Sequence, residues 1–219
     1  MVGPSRTVLF IVGAVLLLTA FGLGALIFNR YETFDLDTWW NALFVNNAPQ
    51  FLVTFSLVMN FLGAGWFGVF VVPIAGALTL LILKRPWSAV FFITAEIASA
   101  GVVQILKHLF GRARPEEIIV ISDFGSFPSG HVANAATLAA AAFVLFPRLI
   151  VAIIGLVYVF LMALSRTVLH AHWLSDTIAG AMIGVGVVLI VAGFFAPLLW
   201  RERPGARPET TREVTPAPQ

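Results

Sequence analysis

Residues 8–28 run for 21 positions without a charged side chain. A helix of that length rises far enough to cross a hydrocarbon core of about 30 Å. In lipid the backbone must satisfy its own polar groups, which a helix does and an open strand does not. Apolar stretches recur at residues 62–83, 87–106, 131–146, 149–164 and 177–200. The reading is all-α: a polytopic membrane protein, a six-transmembrane-helix bundle with short interfacial helices. Composition agrees, since 59% of residues are hydrophobic and 11% charged, against about 25% charged in an average soluble domain. Short links between the spans leave room for one domain, residues 1–200. Residues 201–219, rich in Pro, Arg, Glu and Thr, read as a disordered cytoplasmic tail. The first run follows Arg6 as a signal peptide would, but it is too long and no clean cleavage site follows, so it reads as a retained helix.

Residues 29–60 break the pattern. Arg30, Glu32, Asp35 and Asp37 cluster, and Trp39, Trp40, Phe44, Phe51 and Phe55 alternate with polar residues. This suits one or two short helices in the interface, serving as an anchor or as a gate for a lipid. Glu96 is the one carboxylate in the middle of a span, and it lies 11 residues before Lys107, close to three helical turns. Both should face the same side, as a polar wall or proton path, or as a structural group within the bundle.

Three polar clusters sit at the ends of the later apolar runs. The first carries Lys107, Arg114 and Pro115, the second is Pro128-Ser129-Gly130-His131, and the third carries Ser165, Arg166, His172 and Asp176. Spans 131–146 and 149–164 are only 16 residues each, about 24 Å of helix. Adding the polar ends restores the length and puts the clusters just below the lipid headgroups at one membrane face. There, Lys107, Arg114 and Arg166 would neutralise a phosphate, the arginine forks gripping two oxygens at once. Ser129 and Gly130 precede a helix whose first N–H groups have no internal partner. His172 and Asp176 are four apart, on one face if helical there, so the carboxylate would hold one ring nitrogen and free the other to attack phosphorus. His170 is six from Asp176 and would point elsewhere. His131 is left as general acid.

These segments resemble the three-part signature of the type 2 phosphatidic acid phosphatase superfamily, the lipid phosphate phosphatases, with every signature position filled over roughly 70 residues. The resemblance implies a metal-independent phosphatase working through a phosphohistidine. In that scheme His172 attacks, Asp176 orients it, and His131 protonates the leaving group and then activates water. Lys107, Arg114, Ser129, Gly130 and Arg166 hold the phosphate. Arg112, His108 and His170 fall outside the signature and receive no catalytic role.

The implied substrate is a membrane lipid phosphomonoester or diphosphate: polyprenyl diphosphate, phosphatidylglycerophosphate or phosphatidate. A phosphotransferase using the same phosphohistidine, and a non-catalytic lipid-binding or transport protein on this scaffold, remain alternatives. No cofactor and no obligatory protein partner is expected beyond the lipid and the bilayer. The loop acids Glu116, Glu117 and Asp123 follow no zinc or calcium pattern and read as a solvated face. With no cysteine, thiolate chemistry is excluded, and a net charge of +2 without a basic stripe excludes nucleic acid. Six spans put both termini on one side. If that side is cytoplasmic, it holds eight basic residues against five opposite, four of which belong to or adjoin the motifs. The positive-inside bias then places the protein in the cell (inner) membrane with its site facing the periplasm or exterior.

Overall fold

The computed structural model describes residues 5–30, 32–63 and 65–202. The protein is a polytopic, all-helical membrane protein, with no strand among the described residues. In order the helices are α1 (Arg6–Phe28), α2 (Asp35–Ala42), α3 (Gln50–Gly63), α4 (Val72–Ile82), α5 (Pro86–Phe110), α6 (Gly130–Leu145), α7 (Leu149–Val168) and α8 (Leu174–Arg201). The expected tail lies outside the described residues except for its first two.

Among the described residues four helices, α1, α5, α7 and α8, are long and apolar enough to cross a membrane. A bent helix pair makes a fifth when its two arms are counted as one span. In place of one straight helix over residues 62–83, the chain forms α3, breaks, passes through a π-helical turn at Phe67–Val71 and continues as α4, with a 46° bend between the arms. Gly63 and Gly65 flank the break, and Gly65 adopts a positive φ of 60°, a region glycine enters without a Cβ penalty. Backbone groups freed in lipid need new partners. Asn134 supplies them, its Nδ2 donating to the carbonyls of Gly63 (3.1 Å) and Gly68 (3.2 Å). Helix α6, with 16 residues, is apolar but shorter than a full span.

α8 is the central strut, packed on α1, α5 and α6, while α1 and α7 turn most of their surface outward. Close approach comes from small residues. A Cβ on Gly184 would collide with the carbonyl oxygen of Ala133, and one on Gly180 would stand 2.5 Å from that of Ser129. The backbones of α6 and α8 therefore touch directly. Large apolar side chains such as Leu18, Ile82 and Leu149 are exposed around the outside, as a bilayer-facing surface requires.

Helix ends sort into two groups. Arg6 of α1 donates to the carbonyl of Gly193 late in α8, Arg85 donates to that of Leu145, and Glu202 caps the start of α5 through Trp87 N and Ser88 N. The opposite end gathers the end of α5, the loop 111–129, the starts of α6 and α8, and α2.

Candidate active site

α5 ends later than the sequence reading set it and α7 runs on to Val168, so Lys107 and Arg166 lie inside last turns. Gly111 ends α5 at φ 53°, and the chain turns into the loop carrying Arg114 and Asp123. Ser129 is the N-cap of α6. A cavity of about 630 Å³ is lined by Lys107, Gly130, His131, Arg166 and His172. Arg114 joins them by donating to the Nε2 of His172 (3.4 Å) and to the carbonyl of Ala171. Seven of the eight residues singled out from the sequence thus meet at one end of the bundle, and the eighth, Asp176, sits immediately behind.

Asp176 does not hold His172 as expected. The segment at His172 is not helical: α8 begins only at Leu174, with Trp173 as N-cap. The four-residue spacing therefore imposes no shared face. The Nδ1 of His172 lies 3.7 Å from Asp176 Oδ2, beyond hydrogen-bond length. It is 2.7 Å from the carbonyl of Ser126. A carbonyl only accepts, so Nδ1 carries the proton and Nε2 presents its lone pair toward Arg114. Asp176 instead accepts from Arg112 at 2.6 Å and from the backbone of Trp173 at 2.9 Å.

Arg112, which had no role in the sequence reading, bridges two buried carboxylates. It donates to Asp176 Oδ1 at 2.6 Å and Asp37 Oδ2 at 2.7 Å. Asp37 also accepts from Ser175 through N (2.8 Å) and Oγ (2.6 Å). The short helix α2 is thereby tied to the start of α8. Asn60 of α3 is a second residue that sequence reasoning missed. Its Oδ1 accepts from Arg166 at 2.6 Å, and its carbonyl lies 3.3 Å from His131 Nε2. Neither contact has a short-range sequence signal, because the partners lie 64 or more positions away.

The loop acid Asp123 also departs from a purely solvated role. Half-exposed, it accepts from Lys107 at 3.3 Å and from Arg114 at 2.8 Å. Burial pushes the Arg114 guanidinium below its ordinary pKa while Asp123 and Asp176 pull it back. Burial, reinforced by Arg166, Arg114 and Lys107, holds the His172 imidazole well below its ordinary 6.5. The nucleophile candidate is thus kept neutral. Two donors in the cradle have no partner: Ser129 Oγ and Arg166 Nε. The Ser129 N–H is taken by the carbonyl of Asp176 at 3.0 Å, so an anion would meet the hydroxyl and the amides after it.

His170 stands apart at φ 50°, its Nδ1 2.7 Å from Asn41 Oδ1, and His108 is 2.8 Å from the carbonyl of Gln104 on its own helix. Among the described residues no group of three His, Cys, Asp or Glu side chains is arranged to hold a metal.

The profile of the PAP2 superfamily matches residues 88–200, just over half of the chain. This chain is a PAP2 superfamily member. It is similar to the lipid A 1-phosphatase of Rhizobium johnstonii, with 32% identity over 139 residues, covering 58% of this chain and 56% of that one. The lipid A 1-phosphatase of Rhizobium etli is 31% identical over 142 residues, covering 58% and 59%. The chain thus spans somewhat over half the length of the curated relatives it matches. The PAP2 type phosphatidylglycerolphosphate phosphatase of Bacillus subtilis superposes with a TM-score of 0.75, at 24% identity over 84% of this chain and 96% of that one. That likeness establishes the PAP2 fold alone. LpxE of Aquifex aeolicus superposes at 0.64 with 26% identity, covering 74% and 97%.

Proposed function

We propose that the protein is a membrane phosphatase that hydrolyses a lipid phosphate through a phosphohistidine. The observation that carries this reading is the convergence of Lys107, His131, Arg166 and His172 on one cavity whose remaining walls are largely apolar. Fixed cations there stabilise charge without reorganising. Ser129 Oγ and Arg166 Nε, buried and unpaired, are donors for phosphate oxygens.

His172 attacks phosphorus through Nε2 as the bond from phosphorus to the lipid oxygen breaks, and His131 gives that oxygen its proton. His131 then takes a proton from water, whose oxygen attacks phosphorus and releases phosphate with restoration of His172. Lys107, Arg114, Arg166 and the start of α6 hold the oxygens throughout. Asp176 acts on His172 at one remove, by fixing the start of α8 and facing Nδ1 across 3.7 Å.

The substrates to compare are polyprenyl diphosphate, phosphatidylglycerophosphate, phosphatidate and, from the names of the relatives, a lipid A 1-phosphate. The site faces the periplasm or exterior and both termini face the cytoplasm. Purified protein in detergent releases phosphate from at least one of these lipids in the presence of EDTA, and orthovanadate blocks it as a mimic of five-coordinate phosphorus. His172→Ala and His131→Ala abolish release, whereas His170→Ala keeps most of it. Loss of activity in EDTA, or an essential His170, refutes the mechanism.

A further inference from the structure

Three turns below Lys107 on α5, a carboxyl group that the proposed reaction does not use opens on the same cavity. Glu96 is 9% exposed, and its Oε1 has no hydrogen-bond partner. Glu96, Ser99, Val103 and Lys107 all line the cavity, at helical spacings that put them on one face of α5. Phe70, Pro73, Ile74 and Ile97 are among the apolar residues that line the same cavity. Of the polar groups nearby, the Tyr158 phenol lies within electrostatic range of Glu96 but makes no hydrogen bond to it, and others serve the protein's own groups. Thr137 donates to Ser99 Oγ at 2.8 Å, and the Asn134 amide serves the carbonyls at the α3 break. Among the described residues Glu96 forms no ion pair. An unpaired carboxyl oxygen in apolar surroundings is costly to bury, and an ionisable group inside a span marks a site by default.

We propose that Glu96 accepts a hydrogen bond from a hydroxyl or amide N–H carried in the chain region of the lipid, and so selects substrates with a donor at that depth. Its place is about 16 Å from Lys107 along the helix axis, where a chain entering phosphate-first would lie. A site built to hydrogen-bond a substrate group rejects the analogue lacking it, because the protein atom is then left unpaired. The inference rests on the phosphatase reading and disfavours polyprenyl diphosphates, whose tails carry no donor.

The test compares kcat/KM for phosphate release from two lysophosphatidates of equal chain length, one with a mid-chain hydroxyl and one without. The full-length protein favours the hydroxylated lipid by about tenfold, the scale of one hydrogen bond. Glu96→Leu brings the ratio to near one, and Glu96→Gln, which keeps a carbonyl acceptor, restores most of it. Equal rates for the two lipids in the unmodified protein, or an unchanged ratio in Glu96→Leu, overturn the subsite alone. If Glu96→Leu does not fold, the lipid comparison in the unmodified protein still decides. Absence of release from every lipid phosphate overturns the phosphatase reading and the subsite with it.

Discussion

At the scale of the residue, His172 depends on what surrounds it more than on its place in a motif. Its pKa is depressed from 6.5, first by burial and then by Arg166, Arg114 and Lys107. Between that depressed value and 6.5 the unfolded chain binds more protons than the folded one. The stability His172 contributes is therefore present above pH 6.5 and declines as pH falls below it. For catalysis the same shift keeps Nε2 unprotonated in mild acid. The acid limb of kcat/KM should lie below pH 6.5, read from a pH–rate profile; a limb centred above 6.5 would rule out a neutral His172 as the attacking group. Arg112 makes a second case. Removing it in Arg112→Ala strands two buried carboxylates, Asp37 and Asp176, at a cost of about 3–5 kcal/mol. Arg112→Lys does not replace the fork that spans them. Thermal unfolding in detergent should show a large loss for Arg112→Ala and an intermediate one for Arg112→Lys.

At the scale of the element, much was legible in the sequence. The apolar runs locate α1, α5, α6, α7 and α8, because lipid demands long uninterrupted stretches. The three polar segments fall at helix ends facing one cavity, because charged groups in a bilayer protein collect there. What escaped is of two kinds. The break between α3 and α4 lies within a nearly uniform apolar run, and it persists through Asn134, which is 66 positions from Gly68. The carbonyl of Ser126 that fixes the tautomer of His172 carries no side-chain signal at all, whereas the four-residue spacing to Asp176 suggested a helical pair where the chain is still a loop. Packing of α6 on α8 sets where the cradle at Ser129 sits. Gly184→Ala would force the backbone of Ala133 away, an overpacking of about 1–3 kcal/mol, with a lower melting temperature and reduced phosphate release. Gly101→Ala, with nothing within 4 Å of its added carbon, serves as control and should be neutral or slightly stabilising.

At the scale of the whole molecule, helix ends and charges make one argument. Arg6, Lys84, Arg85, Arg148 and Arg201 gather at the end away from the cavity, where α1 meets the late part of α8 and Glu202 meets the start of α5. At the cavity end the basic residues are Arg30 and four that hold carboxylates or line the site: Lys107, Arg112, Arg114 and Arg166. These four are placed by pairing and burial, so they do not weigh in the bias that orients loops during insertion. Setting them aside leaves a strong excess at the far end, which should therefore be cytoplasmic. The chain has no cysteine, so single introduced cysteines report accessibility without background. Glu32→Cys and Glu116→Cys, at the cavity end, should react in intact cells with a maleimide that does not cross membranes. Lys84→Cys and Arg148→Cys should react only after permeabilisation. The reverse pattern would put the cavity on the cytoplasmic side and restrict the substrate to lipids made and dephosphorylated in that leaflet.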